Sequence, residues 1–187
     1  MAKKYLALTT VLLAGCVHFH ATNPSAGAPP KLVIQPALKV PAGAALVPGV
    51  TNPLVTQSNI GATICNKTHY GKNGLIDPKG FTWVHWQRPP VSYTNRLKLA
   101  QMKAWGIKGA PNSVEEDHNV SIENAGHPMS FLNLWPQLWT GRYNAHDKDH
   151  LENYIHGKIC SGAMTLAQGQ AVFLGNLTLE YDKVFGK

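Results

Sequence analysis

Two cysteines, Cys65 and Cys160, constrain this 187-residue chain more than any other feature. If they pair, they close a loop of about 95 residues, and the chain-entropy model assigns such a closure roughly 4 to 5 kcal/mol. Neither cysteine sits in a C-x-x-C, which argues against a metal role. The third cysteine, Cys16, lies at the end of an N-terminal apolar stretch, so the pairing of the other two depends on what that stretch is. Two thiols in an exported chain form a disulfide most simply, and only one pairing is then available.

The stretch is "MAKKYLALTTVLLAGC". Two lysines followed by an apolar run too short to span a bilayer make it a sorting signal, to be set aside before the fold is considered. Its last four residues, Leu13-Ala14-Gly15-Cys16, resemble the bacterial lipobox, which implies lipid attachment at Cys16 and a membrane anchor in the cell envelope. Residues 17–50 are rich in Pro, Ala, Gly and Val without sustained periodicity and are expected to be a disordered linker. Residues 51–187 are expected to be one folded domain, because the chain is too short for two large ones.

Charge narrows the partners. Lys and Arg total 17 against 10 Asp and Glu, for a formal +7, and loss of Lys3 and Lys4 with the leader still leaves +5. A polyanion is the electrostatically natural partner.

Along the domain, Pro53 or Thr56 can open a short helix leading through Ile60 and Ile64 to Cys65. "FTWVHWQRPP" alternates as a strand would and stops at Pro89-Pro90. Thr94 is the expected N-cap of a helix that closes on Gly106. "SVEEDHNVSI" and "LNLWPQLW" are expected strands around a turn in "ENAGHPMSF". From about Ala145, Leu151, Ile155 and Ile159 recur every four residues and mark the core face of a further helix. Thr165 and Gln168 fit a capping box for one more. The fold class is therefore α+β and mainly helical, and Trp83, Trp86, Trp105, Trp135 and Trp139 are expected to serve packing.

The runs "RPPVSYTNRLKLAQMKAWG", "EEDH", "NLWP" and "KDHLENYIH", followed by a cysteine, resemble a group of small exported bacterial proteins with an HNH-like (ββα-metal) endonuclease core, over roughly residues 50 to 175. The resemblance implies hydrolysis of phosphodiester bonds with a divalent cation. Asp117 would be a metal ligand, His118 the general base and Asn133 the residue that orients its imidazole. Helix ligands at i, i+4 could be Asp149 with Asn153, which suit Mg²⁺, or His146 with His150, which suit Zn²⁺ or Ni²⁺; the oxygen pair is preferred. Glu116, Glu152, His156 and Arg142 would stand behind the ligands or touch phosphate. The implied partner is nucleic acid, DNA ahead of RNA, read without sequence preference because no base-reading module is evident. Two departures stand out: Ser121 where proline is common with Ala125-Gly126 at the turn, and a long interval between Asn133 and the helix ligands.

A different reading keeps the fold as a non-catalytic envelope scaffold, since fold does not imply function. Under either reading, Arg88, Arg96, Lys98, Lys103 and Arg142 are open to two interpretations: simply solvated, or, where the helix at 95–105 puts several of them near one side, a surface for a phosphate backbone.

The anchor generates the first prediction. Replacing Cys16 with Ser should move the protein from the membrane fraction to the soluble fraction, because a lipid chain and no spanning helix would hold it there. Unchanged fractionation would point to a plain signal peptide.

Overall fold

The computed structural model describes residues 45–66 and 88–186. The leader, Cys16, most of the linker and the expected strand in "FTWVHWQRPP" with Trp83 and Trp86 lie outside the described residues. Among those described, four α-helices surround a two-stranded antiparallel sheet, an α+β arrangement.

Helix α1 spans Val91–Trp105 and is followed by strand β1, Val114–His118. Strand β2, Leu134–Leu138, pairs with β1 in a register that sets Asp117 opposite Trp135 and His118 opposite Leu134. Helices α2 (Ala145–Cys160), α3 (Leu166–Leu174) and α4 (Leu177–Phe185) complete the chain. No helix among the described residues is long and apolar enough to cross a membrane.

The start of α1 differs from expectation. Thr94 lies inside the helix, where its hydroxyl donates to Val91 O, and the N-cap is Pro90. A proline ahead of a helix gives up no intrahelical bond, because the first N–H groups have no partner within the helix. The Pro90 carbonyl instead accepts from Tyr93 N and Thr94 N. At the other end Gly106 takes the left-handed conformation (φ +67°) that closes a helix without a Cβ penalty. The short element before Cys65 is one 3-10 turn, Ile60–Ala62.

Helix α2 follows its sequence closely. Asn144 caps it by accepting from Asp147 N, and its buried face carries Leu151, Ile155 and Ile159. These pack with Trp135, Val120, Phe173 and Tyr181 into the main core. Thr165 and Gln168 form the complete capping box of α3. The helices α2 and α3 approach so closely that a Cβ on Gly169 would come within 2.4 Å of Ile159 Cδ1.

Packing reaches back beyond Thr51. Ala45 and Val47 are buried in the same core, and Gly49 N donates to Leu132 O. Cys65 and Cys160 are bonded, with Cα atoms 5.2 Å apart, which ties the segment after the 3-10 turn to the last residue of α2.

Thiol labelling of the unreduced protein should find neither Cys65 nor Cys160. Replacing both with Ser should cost a few kcal/mol, on the order of the 4 to 5 kcal/mol that loop-closure entropy assigns, read as a lowered urea midpoint.

Candidate functional site

Successive side chains of a strand point to opposite faces, so β1 presents Glu115 and Asp117 to one side and Glu116 and His118 to the other. The Asp117 side meets α2. The Glu116 side meets α1, whose Gln101 donates to Leu134 O at 2.7 Å and whose Lys98 reaches Val114 O at 3.4 Å.

On the α2 side the residue that organises the site is Lys148, absent from the expected set. Its side chain is 3% exposed, and its Nζ donates to Asp117 Oδ2 at 2.7 Å, to the backbone His118 O at 2.6 Å and to Glu152 Oε1. An ammonium has three N–H donors, and all three are used. Burial alone pushes Lys148 down, but the carboxylates of Asp117 and Glu152 outweigh it and hold the amine protonated well above the usual lysine value. Burial pushes Glu152 up, while the adjacent Lys148 ammonium pulls it back toward the anion. The remaining oxygen of Asp117, Oδ1, accepts from His118 N at 2.7 Å.

His118 is 9% exposed. Its Nε2 lies 2.9 Å from Pro128 O, and a carbonyl can only accept, so Nε2 carries the proton and Nδ1 the lone pair. Burial, aided by Lys148 and Arg88, lowers its pKa to about 4, against the Pro128 carbonyl and Asp117. The imidazole is therefore neutral at ordinary pH.

Asn133 does not orient that imidazole through its side chain, contrary to expectation. It is fully buried, its Oδ1 accepts from Val50 N and Val120 N, and its Nδ2 donates to Val120 O and His127 O. Four bonds to three separate segments exhaust the amide. Asn133 fixes the His127 carbonyl, one residue before the carbonyl that holds His118, and so acts on the histidine only through the loop.

The expected helix ligands diverge. Asn153 is exposed and donates to Asp149 O one turn back. Asp149 is half-exposed with a pKa raised by burial and by the Asp117 charge, and it lies 4.0 Å from His146. His146 packs on the Trp139 ring, and His150 is exposed. Glu152 is drawn into the Lys148 cage. His156 Nδ1 bonds Glu123 O, with Cys160 Sγ 3.6 Å from its Nε2. Arg142 turns away to Asp182, 3.3 Å distant.

A divalent cation therefore does not fit beside Asp117 as these residues are arranged, because the Lys148 ammonium fills the point where the oxygens converge. Among the described residues, no group of three or more His, Cys, Asp and Glu side chains converges as a metal centre requires. The sequence did carry a sign of this. Lys148 lies three residues before Leu151, on the buried face of α2, and a lysine there needs anionic partners.

On the α1 side, Glu116 has both carboxylate oxygens buried without a hydrogen-bond partner. Burial, with a contribution from Asp117, pushes its pKa up to about 8, and only Lys98 pulls the other way. Glu115 is pushed up to about 7, mainly by burial and then by the charges of Asp117 and Asp149.

Comparison with protein-family models, with curated proteins and with solved structures found no match.

Glu116 sets a pH dependence. A carboxyl whose folded pKa is raised contributes stability below its unfolded value, near 4.5, and loses it as pH rises through about 8. Glu116→Gln should therefore raise the urea midpoint at pH 9 while changing it little at pH 4. An equal shift at both pH values would mean that the carboxyl does not titrate across this range.

Proposed function

We propose that this chain is an exported, lipid-anchored domain that binds polyanions, nucleic acid first among them, on an HNH-like scaffold whose strand-strand-helix order serves binding rather than metal-dependent hydrolysis. The observation that carries this reading is the saturated Lys148 cage. The aspartate expected to hold a catalytic cation is already neutralised by a buried lysine with no donor to spare.

The binding surface in this reading is α1. The helix carries Arg96, Lys98 and Lys103 and no acidic residue, and Arg88 lies exposed just ahead of it. Arg96 and Lys103 are exposed and seven residues apart, two turns along one stripe. Cations in such a row suit contacts with successive phosphates, which give affinity without sequence choice. The formal charge of +7 and the leader ending on Cys16 are consistent with an envelope protein that meets polyanions.

A second reading, an endonuclease in which His118 is the general base, is favoured by one observation. The bond from Nε2 to Pro128 O leaves Nδ1 with the lone pair that a base needs. It would require Asp117 to be released from Lys148 before the expected Mg²⁺, or Zn²⁺ or Ni²⁺, could be held.

Fluorescence anisotropy with a short labelled DNA duplex tests the first reading. Affinity should fall steeply with salt, and Arg96→Ala and Lys103→Ala should each weaken it and flatten the salt slope by about one. Plasmid nicking, with and without EDTA, tests the second. We expect no nicking above that of His118→Ala; a loss on the order of 10² to 10⁴ in that variant would establish hydrolysis instead.

A further inference from the structure

Three oxygens converge on Lys148 Nζ: Asp117 Oδ2, Glu152 Oε1 and the carbonyl of His118. Two carboxylates and a carbonyl are the hard donors that bind Mg²⁺, Mn²⁺ or Ca²⁺. Here they are matched to a nitrogen, whose separations of 2.7 Å from Asp117 Oδ2 and 2.6 Å from the His118 carbonyl are those of short charge-assisted hydrogen bonds. The cage is closed from outside as well, since Lys148 is 4% and Glu152 8% exposed.

We propose that Lys148 is the resident cation of this core, and that its tethered ammonium keeps divalent metal ions out of the seat formed by Asp117, Glu152 and the His118 carbonyl. The inference shares the cage with the polyanion-binding reading but concerns metal exclusion alone. DNA affinity can stand or fall without it.

The physical argument is one of competition. A metal ion entering this seat must displace a cation bonded covalently to the same helix. The displaced ammonium would remain beside a double positive charge inside the protein, having lost three acceptors at once. Free ions carry no such tether, so the lysine holds the seat at any ordinary metal concentration. Removing the amine and its stem reverses the balance. Two buried carboxylates would then face a vacancy with no countercharge, and a divalent ion with its waters is the species that restores neutrality.

The experiment uses the full chain in detergent with Mn²⁺ as the probe, because the EPR signal of free Mn²⁺ reports the bound fraction. The wild-type chain should leave that signal as in buffer, once non-specific binding common to Asp117→Asn is subtracted. Lys148→Ala should take up one equivalent of Mn²⁺ and show a thermal midpoint that rises with Mn²⁺ concentration. Both effects should disappear in the Lys148→Ala/Asp117→Asn double variant. One equivalent bound by the wild type and lost in Asp117→Asn would overturn the proposal, as would a folded Lys148→Ala that gains no site. If Lys148→Ala does not fold even with Mn²⁺ present, the wild-type comparison decides alone. Failure on any arm leaves the anisotropy result untouched, so the two readings remain separable.

Discussion

A buried lysine is tolerable only where its charge is met, and much of the centre of this protein is arranged around meeting that of Lys148. Its partners come from two elements: Asp117 and the His118 carbonyl from β1, and Glu152 from its own helix one turn on. The cage therefore docks α2 on the sheet at a fixed rotation, with Leu151 and Ile155 turned into the apolar core beside it. Buried ion pairs return little net stability, because desolvation offsets most of the attraction. What they give is selectivity among alternatives, since rotating α2 by one residue would leave one positive and two negative groups buried without partners.

A second clamp works by a different chemistry. Asn133 carries no charge, yet it joins the segment at Val50, the turn at Val120 and the loop at His127 through one amide. Gly126 lies under the same loop, where any Cβ would come within 1.7 Å of Val120 O. The stretch that follows the 3-10 turn Ile122–Asn124 is thereby held with no more regular pairing than the single bridge of Gly126 to Thr51, and it delivers the Pro128 carbonyl to His118. The histidine is seated by a loop, and the loop by an asparagine.

What was legible in the sequence follows from how local each signal is. The four-residue recurrence of Leu151, Ile155 and Ile159 and the Thr165–Gln168 box are short-range patterns, and the elements stand where those patterns put them. Cys65 and Cys160 needed no geometry once Cys16 was set aside with the leader, because that expectation left a single pairing, and the two are bonded. The start of α1 departs from its local signal because Thr94 is a good cap by type, whereas Pro90 opens the helix through its fixed φ and its carbonyl. Glu152 stands one helical turn from Lys148, but the other partners that define the roles of Lys148 and Asn133, Asp117 for the first and Val50 and Val120 for the second, lie 13 to 83 residues away, which no spacing rule reaches. Asp117, His118 and Glu152 do come together, but around a lysine rather than in a vacant coordination sphere.

The disulfide has a mechanical consequence. A pull applied between the two ends of the chain enters at the N-terminal side, reaches Cys65 and passes covalently to Cys160, bypassing a sequence separation of 95 residues. Both strands, α1 and nearly all of α2 lie within the bypassed loop. Tension can peel away α3 and α4 or the segment before Cys65, but it cannot extend what lies between the sulfurs. The sheet and the lysine cage thus lie off the covalent line of load, whereas the loop that seats the histidine, bonded to the segment at Val50, is the first part of the centre that a pull would tug.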